Sequence, residues 1–192
     1  MRVISGKARG RRLLSVPGIS TRPTSDKTKE SIFNILPPDF NEKRILDLFA
    51  GTGNMGIEAL SRGAMKAVFV ESDRTALSVL EKNLRNCCFF HKSQIIGSTV
   101  AKGIRILEKR GDKFDLIFLD PPYGRSIVGD TLERVSRSDI LKNNTLVVAE
   151  HSFRETVVED VGSLTITDQR RYGKTLVSFF VHRRIEGQNP QS

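Results

Sequence analysis

The residues Asp120, Pro121, Pro122 and Tyr123 directly follow an apolar segment, residues 114–119, that is typical of a buried strand. Two consecutive prolines hold such a loop extended and rigid. The Asp120 carboxylate and the Pro121 carbonyl can accept the two protons of an exocyclic amine, and Tyr123 can stack on the base that carries it. The string therefore predicts a site that turns the lone pair of an amine toward a donated methyl group. A surface turn is the alternative for the string taken alone.

A glycine-rich loop with the spacing G-x-G-x-x-G, residues 51–56, follows another apolar segment. Gly51 and Gly53 allow the backbone to approach a ligand closely, and the loop opens a predicted helix. Glu71 lies 20 residues beyond Gly51, at the end of the next predicted strand, where a carboxylate accepts hydrogen bonds from ribose hydroxyls. The loop and Glu71 together predict a cofactor that contains adenosine. A structural turn is the alternative for the glycines alone.

Asp47 lies within the strand that precedes the glycine loop, where nicotinamide-binding units usually have apolar residues. Those units offer a helix N-terminus to a pyrophosphate group. S-adenosylmethionine has no pyrophosphate but carries an ammonium group and a sulfonium cation, for which a carboxylate is an electrostatic partner. Asp47 therefore favours S-adenosylmethionine as the cofactor, the alternative being that it only accepts hydrogen bonds from loop amides.

The elements that must position these residues alternate between strands and helices from about residue 44 onward. The patterns predict strands at 45–49, 67–71, 93–96, 114–119 and 145–149, helices at 55–62, 74–86, 99–110 and 127–141, and a final antiparallel hairpin of strands at 163–167 and 174–181. A short helix at 27–36, ended by Pro37 and Pro38, links this region to the N-terminus. The alternation predicts an α/β fold with a doubly wound, Rossmann-like sheet of seven strands.

The chain carries 31 Lys and Arg residues against 22 Asp and Glu residues, a formal charge of +9. Six basic side chains and no acidic one lie within residues 1–24: Arg2, Lys7, Arg9, Arg11, Arg12 and Arg22. They alternate with apolar residues such as Val3 and Leu13, which favours paired strands over the alternative of a solvated tail. We therefore expect an ordered basic arm that binds a polyphosphate such as RNA, with Thr24 among its contacts.

The composition is that of a soluble globular protein, with 38% hydrophobic and 28% charged residues. The sequence contains no apolar run near the roughly 20 residues of a membrane helix and no signal-peptide pattern. Cys87 and Cys88 are adjacent and lack the neighbours of a zinc site, so we expect reduced thiols and no metal. We expect a cytoplasmic monomer with a basic arm and linking helix at 1–40, a Rossmann-like domain at 41–185 and a polar tail at 186–192.

With these motifs in place, the chain from residue 1 to about 184 resembles the bacterial RsmD family of 16S rRNA guanine-N2 methyltransferases. The resemblance rests on the segments RVISG (2–6), TRPT (21–24), FN (33–34), DLFAGTG (47–53), EALSRGA (58–64) and DPPY (120–123). The combination is specific, whereas the last segment alone is shared with other amino-methylating enzymes, including adenine methylases.

The resemblance implies a class I methyltransferase fold and methylation of the N2 amine of a guanine in 16S rRNA. The acceptor is RNA within a small-subunit assembly intermediate or 30S particle, the donor is S-adenosylmethionine, and the N-terminal arm contacts the RNA. By carry-over, Asp47, Phe49, Gly51 and Gly53 surround the amino-acid part of the donor, Glu71 and Ser72 its ribose side, and Asp120, Pro121, Pro122 and Tyr123 the target base.

The sequence departs from similar enzymes just after the third predicted strand. Such enzymes often have an acidic residue there, near the adenine of the cofactor, but this chain has Ile96-Gly97-Ser98-Thr99. A hydroxyl such as that of Thr99, or a backbone group, is the expected substitute.

Three other functions stay open as alternatives. An adenine-N6 methyltransferase acting on DNA or RNA shares the chemistry of residues 120–123, although DNA enzymes of this kind commonly carry a larger target-recognition region. A nicotinamide-dependent oxidoreductase fits the glycine spacing and Glu71 but has no evident substrate domain. A noncatalytic RNA-binding factor explains the arm but gives residues 120–123 no purpose. The identity of the methylated base separates guanine from adenine methylation, and the identity of the bound cofactor separates a methyltransferase from an oxidoreductase. An Asp120→Ala variant that binds RNA but does not methylate it argues against a noncatalytic RNA-binding factor.

Overall fold

The computed structural model describes residues 1–16, 26–122, 127–155 and 157–183 of the 192-residue chain. The helices are α1 (Asp26–Ile35), α2 (Asn54–Ser61), α3 (Arg74–Asn86), α4 (Val100–Lys109) and α5 (Ile127–Ser136). The strands are β1 (Arg44–Leu48), β2 (Lys66–Glu71), β3 (Ser93–Gly97), β4 (Phe114–Leu119), β5 (Leu141–Ser152), β6 (Asp160–Val161), β7 (Leu164–Tyr172) and β8 (Thr175–His182). Among the described residues, none of the helices has the length and apolar character needed to cross a membrane.

All of these strands belong to one sheet, in the order β3-β2-β1-β4-β5-β8-β7-β6. The first five strands of the chain are parallel, and β8 joins β5 in the antiparallel direction to complete the predicted hairpin with β7. The sheet has one strand more than the seven predicted, because β6 has only two residues and shows no pattern in the sequence. The strand order changes direction beside β1, where doubly wound sheets bind ligands.

The side chains of β1 alternate between the two faces of the sheet. Ile45 belongs to the apolar core on the side of α2 and α3, whereas Leu46 and Leu48 belong to the core on the side of α4 and α5. Asp47 faces α2, where its carboxylate meets backbone. Because both faces of the sheet are buried, the strand sequences are nearly continuous runs of apolar residues. The predicted doubly wound α/β class is confirmed.

Helix α5 ends at Ser136, and β5 begins at Leu141, so the helix predicted at 127–141 was too long. The hydroxyls of Ser136 and Ser138 donate hydrogen bonds to the carbonyls of Glu133 and Val135, which satisfies groups that the helix end leaves open. Ile140 lies beyond the end of the helix but is buried, so the apolar pattern of the sequence continues past the end of the helix.

The N-terminal arm forms a minimal hairpin, as its alternation of basic and apolar residues predicted. Arg2 and Arg12 are antiparallel bridge partners, and the Val3 amide donates to the Arg11 carbonyl over 2.9 Å. Val3 and Leu13 are buried in the core on the side of α2. The basic side chains therefore project from a fixed scaffold. The predicted domain boundaries at residues 40 and 185 stay predictions.

The arm hairpin is docked on the C-terminal end of α2. Gly6 has a φ of +80°, and a Cβ atom at this position would lie 1.9 Å from the Ser61 carbonyl oxygen, so only glycine permits the approach. The Lys7 amide donates to this carbonyl over 2.8 Å, and the Ala8 amide donates to the Ser61 hydroxyl over 2.9 Å. Residues far apart in the sequence thereby fix the arm against the helix that follows the glycine loop.

Candidate active site

The carboxyl ends of β1, β2 and β4 bring the predicted site residues to one edge of the sheet. Leu48 of β1 is in register with Val70 of β2 and with Leu119 of β4. Glu71 and Asp120 are the next residues along β2 and after β4, and the glycine loop follows β1. Because parallel strands end at a common edge, these groups surround one crevice at the point where the strand order changes direction.

Asp47 is 2% exposed and lies beneath this crevice. Its Oδ2 atom accepts a hydrogen bond from the Gly56 amide, in the first turn of α2, over 2.8 Å. Burial raises the pKa of Asp47 well above its ordinary value, the Gly56 hydrogen bond opposes this shift, and the charges of Asp120 and Glu71 add to it. The effect of both charges on Asp47 agrees with the strand register, which brings the three carboxylates to one edge.

Glu71 is held at the end of β2 by three backbone amides. Its Oε2 atom accepts from Gly51 over 2.8 Å, and its Oε1 atom accepts from Ser72 over 2.7 Å and from Asp73 over 2.8 Å. A carboxylate offers about four acceptor positions, so this anchoring leaves capacity for a ligand hydroxyl. The predicted cofactor residues Gly51, Glu71 and Ser72 therefore lie together.

Two glycines of the loop and one residue just before it adopt left-handed backbone conformations. Phe49 has a φ of 61°, Gly51 of 53° and Gly53 of 84°. A Cβ atom at Gly53 would lie 2.4 Å from the Leu80 side chain of α3, so the loop packs too tightly there for another residue. A left-handed non-glycine residue such as Phe49 costs about 1–3 kcal/mol, and the surrounding structure must hold it in place.

The loop after β4 begins with a half-buried Asp120, a buried Pro121 and an exposed Pro122. Tyr123, which was predicted to stack on the target base, lies outside the described residues. Thr99 precedes α4 at the same edge, because β3 ends in register with Glu71; its side chain is exposed and makes no capping hydrogen bond. The sequence-predicted hydroxyl therefore lies where β3 meets the crevice.

The residues at this edge fit a cationic ligand better than a pyrophosphate. Asp47, Glu71 and Asp120 place three carboxylates around the crevice, and the Gly51 amide already donates to Glu71. A pyrophosphate would meet these charges and would lose that amide as a donor. An ammonium group and a sulfonium centre are attracted by the same carboxylates. The arrangement favours S-adenosylmethionine over a nicotinamide dinucleotide.

The basic side chains predicted to bind RNA are exposed along the arm, namely Arg2, Lys7, Arg9, Arg11 and Arg12. Arg2 forms an ion pair with Asp26 of α1, at 3.8 Å between Nε and Oδ2, and Arg11 donates to the Asn86 carbonyl at the end of α3. Arg22 and Thr24, also predicted RNA contacts, lie outside the described residues. The arm therefore presents cations on a surface that packs against α2 and α3.

A buried polar network between the arm and the glycine loop was missed in the sequence. The fully buried Lys29 of α1 donates from Nζ to the Arg2 carbonyl and to Asn54 Oδ1, both over 2.7 Å. Its third partner is Glu58, also fully buried, whose carboxylate accepts from the Ile4 amide over 2.8 Å. The available signal was the polar pair Asn54 and Glu58, spaced for one face of an otherwise apolar helix.

Asn83 forms a second missed link between the arm and the loop. This fully buried side chain of α3 accepts from the Leu14 amide over 2.8 Å and donates to the Leu14 carbonyl over 3.1 Å. Its Nδ2 atom also donates to the Thr52 carbonyl, inside the glycine loop, over 3.0 Å. One amide group thus holds both the end of the arm and the loop that lines the crevice.

Comparison with known proteins identifies the family. A model of the family described as Conserved hypothetical protein 95 matches residues 1–181. The chain belongs to this family. It is 41% identical over 183 residues to the protein named "Putative rRNA methyltransferase YlbH" from Bacillus subtilis, covering 95% of this chain and all of that protein. It is 35% identical over 151 residues to "Ribosomal RNA small subunit methyltransferase D" from Haemophilus influenzae, covering 78% of each chain. The predicted resemblance to the RsmD family is confirmed.

Solved structures show the same fold. An Escherichia coli protein titled "Putative methyltransferase yhhF" superposes with a TM-score of 0.83 at 27% identity, covering 95% of this chain and 98% of that one. A structure titled "Crystal structure of SMU.776, a putative methyltransferase complexed with SAH" superposes with a TM-score of 0.67 at 17% identity, covering 81% of this chain and 48% of that one. The fold of family members and of this chain is therefore the class I methyltransferase fold.

Proposed function

We propose that this protein uses S-adenosylmethionine to methylate the exocyclic N2 amine of a guanine in 16S rRNA. The names of two relatives support methylation of ribosomal RNA. The observation that carries the proposal is the position of Asp120, which directly follows the strand beside β1 and raises the pKa of the buried Asp47. A base amine that is hydrogen-bonded to Asp120 therefore lies next to the cofactor crevice.

The residues of the crevice suit S-adenosylmethionine, which supplies an electrophilic methyl group on a sulfonium cation when it is bound. Asp47 contributes a negative charge beneath the glycine loop, and Glu71 offers its remaining acceptor capacity to ribose hydroxyls. Phe49, Ser72 and Thr99 complete the proposed contacts. Three backbone amides already fix the Glu71 carboxylate, so the backbone does not have to move to present it to a bound cofactor.

Asp120 and Pro121 act on the target amine in this proposal. An amine conjugated with a base ring is a poor nucleophile, and the Asp120 carboxylate and Pro121 carbonyl accept its protons and so turn its lone pair toward the crevice. The amine nitrogen would lose one proton as it takes the methyl group, the carbon–sulfur bond of the donor breaking to leave a neutral thioether, and Asp120 would accept this proton or pass it to water. Such positioning can contribute up to about 7–11 kcal/mol to catalysis. Pro122 stiffens the loop, and Tyr123 is proposed to stack on the base.

The arm provides the RNA-binding surface in this proposal. Its exposed cations sit on a hairpin that is fixed to the helix after the glycine loop, so RNA held by the arm is held at a constant position relative to the crevice. We propose a small-subunit particle or assembly intermediate as the acceptor and a monomer as the active form. Adenine-N6 methylation is the second candidate, because the acceptors of residues 120 and 121 fit either amine.

The deciding experiment transfers labelled methyl groups from S-adenosylmethionine to unmodified small-subunit RNA, both free and in ribosomal particles, followed by nucleoside analysis. We expect N2-methylguanosine, lost by at least a hundredfold in Asp120→Asn because positioned acid–base groups contribute about 10²–10⁴-fold. Asp139→Asn is the matched control, because Asp139 is 82% exposed and pairs with Lys113 at the other edge of the sheet. N6-methyladenosine would replace the proposed substrate with the second candidate, and transfer to neither RNA form by folded protein would overturn both.

A further inference from the structure

An exposed aromatic ring lies within about 6 Å of two guanidinium groups just after β5. Phe153 is 36% exposed, and the Arg154 and Arg171 guanidinium carbons lie 5.6 and 5.0 Å from its ring centroid. Two cations over one ring are within the range of cation–π attraction, and they hold the ring in place while leaving part of it accessible. Exposed aromatic rings among cations are the recurring elements of surfaces that bind single-stranded nucleic acid.

This ring lies at the same edge of the sheet as Asp120. Leu119 of β4 is in register with Ala149 of β5, and β5 continues in the same direction to Ser152. Asp120 is one residue beyond this level and Phe153 is four residues beyond it, a difference of roughly 10 Å along neighbouring strands at about 3.3 Å per residue. The ring is therefore close to the proposed target-binding residues and farther out toward solvent.

The turn between β7 and β8 supports Phe153 and adds positive charge. The Phe153 amide donates to the Lys174 carbonyl over 3.1 Å, which ties the ring to this turn. Lys174 is exposed on this turn, and Arg170 is exposed near the end of β7. Arg170 pairs with Asp168 over 2.9 Å, whereas Arg171 and Lys174 form no ion pair with any described residue. The surface thus keeps an excess of cations that phosphates can neutralise.

The hairpin surface and the helix that carries the arm lie on opposite sides of β4 in the order of the sheet. The sheet order places β1 and its neighbouring helix α2, to which the arm is docked, on one side of β4, and places β5, β8 and β7 on the other. RNA that continues in both directions from a nucleotide held at Asp120 therefore passes two different parts of the protein. The arm can contact the RNA on one side of the target nucleotide only.

We propose that Phe153, Arg154 and Arg171 form a stacking platform for an unpaired RNA base that flanks the target nucleotide, with Lys174 contacting the adjoining phosphate. This proposal rests on the proposed function, because it takes the RNA substrate from it. The platform fixes the direction in which the RNA chain leaves the site, and so contributes to selection of single-stranded or loop RNA. It is separate from the cofactor crevice and from the basic arm.

The test compares Phe153→Leu, which keeps an apolar side chain without an aromatic face, with Phe153→Tyr, which keeps the ring. Methyl transfer is measured with the RNA or particle that the unaltered protein methylates. We expect Phe153→Leu to raise KM for RNA by about 5- to 150-fold, the range of base–aromatic stacking, and Phe153→Tyr to stay within about twofold. The Kd for S-adenosylmethionine and the thermal midpoint should stay unchanged in both variants.

The charge contribution is tested by salt dependence. Lys174→Gln should reduce the slope of log affinity for RNA against log salt by about 0.7, the value for one phosphate on a single strand. Arg137→Gln is the matched control, because this arginine is 74% exposed and pairs with Glu133 at the C-terminal end of α5, at the opposite edge of the sheet. Its slope should equal that of the unaltered protein.

The failure of the platform and the failure of the proposed function give different results. If the unaltered protein methylates RNA and Phe153→Leu leaves KM for RNA unchanged, the platform is overturned and the proposed function stands. The same holds if Phe153→Leu weakens binding of S-adenosylmethionine as much as it weakens binding of RNA. If the unaltered protein methylates no RNA, the proposed function fails. In that case the platform is tested by measuring how strongly the unaltered protein, Phe153→Leu and Phe153→Tyr bind small-subunit RNA. Equal binding by all three overturns the platform.

Discussion

The Lys29 ammonium lies 3.4 Å from the Glu58 carboxylate, and both side chains are completely buried. Burial lowers the pKa of Lys29, while the charges of Glu58 and Asp26 oppose this shift and the Arg62 charge adds to it. Three segments meet at this pair, namely the arm, α1 and the first turns of α2. A buried ion pair adds little net stability, but the removal of one partner leaves an uncompensated buried charge. Docking of the arm therefore depends on both residues.

Glu58→Gln should release the arm. The substitution removes the charge that compensates Lys29 and replaces one of the two oxygens that accept from the amides of Ile4 and Ser5 with an NH2 group, so we expect the free energy of unfolding to fall by about 3–5 kcal/mol. Faster tryptic cleavage within residues 1–16 of the folded protein, with weaker RNA retention, would report the release. The control is Glu81→Gln, an exposed acid that pairs with Arg85 as Glu58 pairs with Arg62, and it should change stability by less than about 0.5 kcal/mol. Equal cleavage of both variants would contradict the assignment.

Asn83→Ala should loosen the arm and the glycine loop together. It leaves backbone groups of Leu14 and Thr52 without a partner, at about 1–3 kcal/mol for each buried group that water does not reach. We therefore expect lower stability, faster amide exchange at both segments and weaker binding of S-adenosylmethionine. Asn86→Ala, an exposed position on the same helix, should leave all three measurements unchanged. Exchange that increases in the arm alone would show that Asn83 does not support the loop.

Local patterns in the sequence predicted the fold well. The alternation of apolar strands with amphipathic helices predicted every parallel strand and the final hairpin, because each pattern repeats within a single element. The same locality explains the errors: β6 is too short for any pattern, and Ile140 continued a helical spacing after α5 had ended. Burial of an apolar residue alone does not distinguish a helix from the turn that follows it.

The site was predicted from motifs, but its supporting contacts were not. Asp47, Glu71 and Asp120 each follow or lie in a strand, so their common edge follows from the topology of a parallel sheet. Lys29, Glu58 and Asn83 instead find partners that are 25 to 69 positions away in the chain. A single sequence contains no periodicity that pairs such positions, and a polar residue on a helix is normally read as exposed.

Gly56→Ala tests how closely α2 is packed on Asp47. A Cβ atom at Gly56 would lie 2.3 and 2.7 Å from two ring atoms of Phe69 and 3.2 Å from Asp47 Oδ2. Overpacking of this kind costs about 1–3 kcal/mol, and the shift of α2 should also weaken cofactor binding. The control is Gly129→Ala in α5, where a Cβ atom meets nothing within 4 Å and alanine should stabilise the helix by about 0.5–1 kcal/mol. Denaturant titration of both variants measures the difference, and a neutral Gly56→Ala would contradict the close packing.

The raised pKa of Asp47 gives stability a definite dependence on pH. In the unfolded chain this carboxyl loses its proton near the ordinary value for aspartate, whereas burial delays ionisation in the folded protein. The unfolded state therefore binds fewer protons between the two pKa values, and the contribution of Asp47 makes stability fall as pH rises through that window. Asp47→Asn should be more stable than the unaltered protein above this window and should lose this part of the pH dependence. Denaturant titration at successive pH values measures both effects.

Binding of S-adenosylmethionine should show the opposite dependence on pH. A cationic ligand favours ionised Asp47, so binding releases a proton wherever Asp47 is protonated in the free protein. Between the ordinary and the raised pKa, affinity should rise by up to about tenfold per pH unit and then level off. Calorimetry in two buffers of different ionisation enthalpy, at successive pH values upward from the ordinary pKa of aspartate, counts the released proton. Asp139→Asn should retain the release because Asp139 is exposed, and Asp47→Asn should abolish it. Proton release that persists in Asp47→Asn would place the titrating group elsewhere and would argue against Asp47 as the partner of the ligand cation.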